Sequence, residues 1–237
     1  MADATIPRRK FLLGAGVAST AVAAGLASRT EAQTPAATPT AAPSNEPVTY
    51  LTLSALEAAF LSAVADAMIP ADELSPSGTD CGVVVFVDRQ LAGSFGGGAK
   101  LYRSGPFRKG KPEHGYQLPL TPREFIGVGI AATNDWVRKA HGKDFHRLNP
   151  KEREDALKAL EAGKAALGTF DGREFFDALL TLVMEGFLAD PIHGGNRNKA
   201  AWKMIGYPGL PALYANSIDE YRHKRYFVDP QSIADFS

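Results

Sequence analysis

Only one cysteine, Cys81, occurs in the 237 residues. A lone thiol cannot close an internal disulfide, hold a four-cysteine iron–sulfur cluster or attach haem through C-x-x-C-H. It either pairs with another chain or is a small buried residue, the reading favoured by the apolar Val83–Val85 beside it. Net charge is absent as well, with 26 basic and 26 acidic groups. Taking away residues 1–32, with Arg8, Arg9, Lys10 and Arg29 against Asp3 and Glu31, leaves −2. That balance gives no long-range attraction to nucleic acid or to an anionic membrane. Metal-ligand spacing is lacking too. His114, His141, His146, His193 and His223 are scattered, and His141 and His146 are five apart rather than on one helical face. No serine sits in a G-x-S-x-G nucleophile elbow, and no internal repeat is visible.

What is present begins at the N-terminus. Arg8-Arg9, then Lys10, Phe11, Leu12 and Leu13, precede an uncharged run to Ser28 that is diluted by six alanines and three glycines. Paired arginines, an aromatic, leucines and a weakly apolar stretch resemble a twin-arginine export signal over residues 1–32, with Arg8, Arg9, Phe11 and Leu12 as its recognition residues. The competing readings are an ordinary secretory peptide or an uncleaved anchor, for which the run is marginal. Residues 33–48, punctuated by Pro35, Pro39, Pro43 and Pro47 among Ala and Thr, read as a flexible, disordered linker. The twin-arginine route carries folded proteins, many already loaded with a cofactor, and places the chain in the periplasm.

Residues 49–237 read as one all-α domain, an irregular helical bundle with long loops. Ser54 and Glu57 make a capping box for a helix with Leu56, Phe60, Val64 and Met68 on one face, closed by Pro70. Over 80–92 the valines favour a strand by propensity. Asp80 as a cap, with Val84, Asp88 and Leu91 on one face, favours a helix, and helix is the choice. Thr121, Pro122 and Glu124 open another helix, with Phe125, Val128, Ala132 and Trp136 as one stripe and Ile126, Ile130 and Val137 as a second. Asn149-Pro150 with Glu152 starts the next, burying Leu157 and Leu160. Asp171 and Glu174 start the last long helix, apolar nearly all round from Phe175 to Leu188 and therefore central in the core or shared with an interface.

Candidate chemistry is thin. Gly127-x-Gly129-x-x-Ala132 matches a dinucleotide fingerprint, but no strand precedes it, so close helix packing is the expected role. Asp66, Asp72 and Glu185 are candidate acids, Glu185 the foremost because it lies in the most apolar helix. Arg222-His223-Lys224-Arg225 is a basic cluster, either a contact for acidic groups or a solvated helix face. No cofactor is therefore expected in this chain.

Two segments look like recognition elements. Residues 93–120 have no sustained period and carry ten Gly and Pro residues; Phe95, Tyr102, Phe107 and Tyr116 are spaced among Lys and Arg. Such a stretch is either an arm that orders on a partner or a mobile surface loop. Asp190-Pro191-Ile192-His193-Gly194-Gly195-Asn196, then Trp202 and Gly206-Tyr207-Pro208-Gly209, reads either as a rigid self-packed turn or as a docking knob with Trp202 as anchor.

These segments carry a resemblance. Gly194-Gly195-Asn196, Trp202 and Gly206-Tyr207-Pro208-Gly209, with Ile69-Pro70-Ala71-Asp72, Gly82–Asp88, Gly105-Pro106, Gln117 and Pro119-Leu120-Thr121-Pro122, make residues 51–211 resemble the small (gamma, or third) subunit of gluconate 2-dehydrogenase-type periplasmic flavin dehydrogenases. Cys81 stands where that family has a small residue such as Ala, and His193 where an aromatic is common. The resemblance implies a complex at the inner membrane. Its large subunit binds FAD and oxidises gluconate or another sugar substrate, and its multihaem cytochrome c subunit passes the electrons on. The small subunit is non-catalytic and supports folding and export of the flavin subunit. The alternative functions are a free-standing periplasmic chaperone-like module with another client and an autonomous acid–base enzyme.

Overall fold

The computed structural model describes residues 49–210 and 213–236. The export signal expected over residues 1–32, with Arg8, Arg9, Phe11 and Leu12, and the linker over 33–48 lie outside the described residues. Among the described residues six α-helices form the frame: α1 (Ala55–Met68), α2 (Val83–Ala92), α3 (Pro122–His141), α4 (Pro150–Glu161), α5 (Gly172–Leu188) and α6 (Ala200–Ile205). Short 3-10 turns link them, and no strand occurs among the described residues. The all-α reading is correct.

Local sequence sets the helix starts. Glu57 N–H donates to Ser54 Oγ at 3.3 Å while Ser54 N–H donates to Glu57 Oε2 at 2.9 Å. Thr121 with Glu124 and Asn149 with Glu152 repeat this reciprocal arrangement, each cap contributing about 1 kcal/mol. Asp171 caps α5 with one carboxylate oxygen, accepting from Arg173 and Glu174 N–H. Asp80 is not the cap of α2. Its carboxylate accepts from Ser77 Oγ, and the helix begins after Gly82, which is left-handed at φ 79°.

α5 packs against α2, α3, α4 and α6, so its nearly continuous apolar surface is covered on several sides. Phe175, Phe176, Leu179, Leu182, Val183 and Phe187 are buried. Aromatic rings bind the layers together: Phe60 lies 4.8 Å from Phe145 and 6.4 Å from Phe175, and Phe125 lies 4.9 Å from Phe170, within the range of favourable tilted contacts. Val83–Val87 are helical despite their strand propensity, because Val84, Val87, Asp88 and Leu91 all fall on the buried side of α2.

Two predicted stripes are displaced. Leu56 and Val128 are exposed. A four-residue step on a helix rotates by about 40°, so Leu56 has drifted off the face centred on Phe60, Leu61 and Val64. In α3 the core face is Ile126, Gly129, Ile130, Thr133, Asn134 and Val137. Phe125 is buried beside that face, Trp136 is half-buried at its border, and Val128 lies on the opposite side.

The entry of the chain into the domain is held by two charged side chains. Asp88, itself buried, accepts backbone N–H bonds from Leu51, Thr52 and Leu53 at 2.6, 2.9 and 3.0 Å. Arg123 reaches across from α3 to Glu57 at 2.7 and 2.9 Å and to Thr52 O at 3.1 Å. Burial pushes the Glu57 carboxyl up, but its bonds from Arg123 and Ser54 outweigh this, and its pKa lies below the ordinary 4.5. A depressed folded pKa adds stability that is present above the unfolded value and lost as pH falls through the folded one. Glu57→Gln is therefore expected to flatten the loss of stability below about pH 4.5. Urea midpoints compared at pH 7 and pH 3.5 check this; an unchanged pH slope contradicts it.

Candidate interaction surface

The segment from Asp190 to Gly209 is built from the C-terminus of α5 outward. Asp190 ends the helix with two bonds: Oδ1 accepts from Ile192 N–H and Oδ2 from Ile233 N–H, both at 3.0 Å. Pro191 opens a 3-10 turn to His193, and Gly194 closes it at φ 97°. A Cβ on Gly195 would strike the carbonyl oxygen of Gly186 in α5, and one on Gly82 would strike that of Gly194. The paired glycines let this turn lie directly on the backbones of α2 and α5. Arg197 N–H donates to Cys81 O at 3.0 Å, fastening the same junction. Asn196 is buried; its Nδ2 donates to Ala189 O and its Oδ1 accepts from Ala201 N–H, both at 2.9 Å. It joins the end of α5 to the start of α6.

Trp202, expected as a candidate anchor on the surface, is packed inside the segment. Only 6% exposed, it donates from Nε1 to Leu188 O at 2.8 Å and meets the edge of Tyr207 at 5.1 Å. The apolar surface that this segment shows to solvent is Ile192, Ile205 and Tyr207, with His193 and Gly206 also exposed. Pro208 is half-buried and Gly209 buried, because residues 208–210 pair with the C-terminal stretch. Leu210 N–H donates to Gln231 O and Gln231 N–H to Pro208 O. Lys199 adds bonds to Pro230 O at 2.9 Å and Asp235 at 2.6 Å. Sequence reading missed this C-terminal docking. Leu213 and Phe227, between its anchors, and Phe236, just after the last, stand exposed.

The arm between α2 and α3 is pinned at both ends. Arg123 N–H donates to Gly96 O at 3.2 Å, and Tyr116 stacks on Phe125 with 3.9 Å between centroids and 7° between planes. Between these points Tyr102 is 87% exposed and Phe107 39%. Where the arm passes α5 it leaves an open groove of about 330 Å³. Its floor is the buried Phe125, Ile126 and Leu182, and one wall is Phe95, Leu101 and Tyr116. The other wall is an α5 edge carrying Glu174, Asp177, Thr181 and Glu185.

The remaining candidates take other roles. Glu185 is exposed on that edge rather than buried in an apolar setting. Asp66 accepts from Thr79 N–H at 2.9 Å, and Asp72 from Leu74 and Ser75 N–H. Gly129 gives Phe175 the room to pack against α3, since a Cβ there would overlap the ring. The glycine pattern is a helix contact. The Cys81 thiol is buried, and burial raises its pKa to about 11, so it stays protonated and poorly reactive. Arg222-His223-Lys224-Arg225 lies exposed in a turn, not on a helix; Arg222 pairs with Asp219 at 2.8 Å and Arg225 sits 4.1 Å from the centre of the Phe227 ring. Among the described residues no His/Cys/Asp/Glu group is arranged to hold a metal, and no helix is long and apolar enough to cross a membrane.

Residues 55–209, from the first turn of α1 to the glycine that packs on Trp202, match the family model described as gluconate 2-dehydrogenase subunit 3. The chain belongs to that family. The match takes in the six α-helices of the described residues, the arm and the glycine junction, and stops where the C-terminal stretch begins. In this subunit 3 chain the Gly194-Gly195-Asn196…Trp202 segment packs against the ends of α2 and α5. The arm, the groove beside it and the apolar residues Ile192, Ile205 and Tyr207 remain open to solvent. No curated protein and no solved structure matches the chain.

Proposed function

We propose that this chain is the non-catalytic accessory subunit of a membrane-associated periplasmic gluconate or sugar dehydrogenase, and that it escorts the flavin subunit through the twin-arginine translocase. Membership of the subunit 3 family carries this reading. The paired Arg8 and Arg9 ahead of Phe11 and Leu12 support the export part. The exposed Tyr102, Leu213, Phe227 and Phe236 support the escort part, because large apolar side chains left in water are characteristic of surfaces that a partner covers.

In this reading FAD belongs to the large subunit and haem c to the cytochrome subunit, and this chain contributes binding alone. Association with only the folded, FAD-loaded partner pulls that partner's folding equilibrium forward. At a free concentration of about 100 times Kd the gain is about 2.7 kcal/mol. Export then follows assembly, because the signal travels with whatever the folded domain holds.

The test is the paired substitution Arg8→Lys and Arg9→Lys in cells that make all the subunits. The expected result is that both this chain and the flavin subunit accumulate in the cytoplasm, with periplasmic dehydrogenase activity lost. If the flavin subunit still reaches the periplasm, it has its own route and the escort role is wrong.

A further inference from the structure

The groove beside the arm has two unlike walls. On one side Phe95, Leu101 and Tyr116 offer only carbon surface, except for the Tyr116 hydroxyl, which donates to Leu120 O at 3.3 Å. On the other, Glu174, Asp177 and Glu185 recur along α5 with Ala178 and Thr181, positions that share one helical edge. Among the described residues the lining includes three carboxylates and no Lys, Arg or His. Two arm cations lie near the rim of the groove without lining it: Lys109 is 3.7 Å from Asp171 and close enough to Glu174 to oppose the rise in its pKa, and Arg103 lies near Tyr116 and Glu124. None of the three carboxylates is ion-paired among the described residues.

From this juxtaposition, and resting on the accessory-subunit reading, we infer that the groove docks a segment of the flavin subunit in which apolar side chains are flanked by Lys or Arg. The apolar side chains lie on Phe125, Ile126 and Leu182, and the cations face Glu174, Asp177 and Glu185. An apolar groove with one acidic wall selects such a sequence in a fixed orientation, because the reverse placement sets cations against carbon and leaves three carboxylates facing apolar surface. The Glu174 carboxyl already has a raised pKa, first from burial and then from the charge of Asp171. An arriving cation relieves that unfavourable charge. Asp177 and Glu185 are exposed before docking, which suits long-range steering of a basic segment.

The experiment compares the full chain with its Glu174→Gln/Asp177→Asn/Glu185→Gln variant, binding the flavin subunit encoded for the same complex, from low to high salt. Thermal melting checks that the variant folds. The inference expects Kd to rise about tenfold at low salt and its salt dependence to flatten. A second arm uses Thr181→Cys. Because Cys81 is buried, a photo-crosslinker attaches at position 181 selectively, and the captured flavin-subunit peptide is identified by mass spectrometry. A peptide with Lys or Arg beside Leu, Ile, Phe or Met supports the inference. Unchanged Kd and salt slope, or a crosslink to a segment without cations, overturns it while leaving the accessory role intact. Failure of the unaltered chain to bind the flavin subunit instead overturns the accessory role, and this inference with it.

Discussion

Trp202→Ala is expected to destabilise the fold by about 4 kcal/mol, with little selective effect on partner binding once the folded fraction is taken into account. The indole is nearly fully buried between α6, the end of α5 and the turn at Gly209. Truncation removes its apolar area from the core, leaves a cavity and strips Leu188 O of the Nε1–H donor at 2.8 Å. Carbonyls at the end of a helix have no intrahelical partner, so that loss is not recovered locally. Trp202→Phe keeps much of the packing but not the donor, and is expected to cost about 1–2 kcal/mol. For a domain of this size the alanine variant should melt about 10 °C lower. Calorimetry on the full chain, paired with a partner Kd measured well below the transition, separates the two roles. A variant that melts normally but binds weakly would restore Trp202 as an anchor.

Asp88→Ala comes next, with an expected loss of about 3 kcal/mol. Three backbone N–H groups converge on one carboxylate, which is itself almost fully buried in α2. Charge-assisted bonds of this kind contribute more than neutral ones, and a buried donor left without an acceptor costs further. Leu53 is buried and its N–H has no route to water, whereas Leu51 is exposed and its N–H can be rehydrated. For that reason the total stays below three full charged bonds. Asp88→Asn keeps one acceptor oxygen and should lose roughly half as much. The readout is the urea midpoint together with hydrogen exchange at residues 51–53. Exchange that speeds there while the midpoint holds would mean that the clamp only fastens the chain entry and is uncoupled from the core.

Much of the fold was legible in short stretches of sequence. Ser54 with Glu57, Thr121 with Glu124, Asn149 with Glu152 and Asp171 before Glu174 each start a helix where predicted, since a cap is satisfied within three residues and needs no tertiary partner. The candidate site was less so. Glycine pairing, Asn196 and the turn after Asp190 were readable as a rigid structure, but the burial of Trp202 was not. Whether a tryptophan faces a core or a partner depends on what folds over it, and here that includes Gly209 held to Gln231. Asp88 and Arg123 showed no local sign of their roles. Their partners lie 35–37 and 66–71 residues away.

Composition, periodicity and caps by themselves determined an all-α domain and the order of its long helices, and the motif residues around Gly194–Gly209 carried the resemblance to its family. Each of those is encoded in contacts between near neighbours or in a pattern of residue types. Only the tertiary structure decided which face of α1 and α3 is inward, that the signature turn is a junction rather than a knob, and that carboxylates on α5 wall a groove under the arm. Those outcomes depend on which elements meet across long separations, and helical periodicity fixes a face without fixing what it meets.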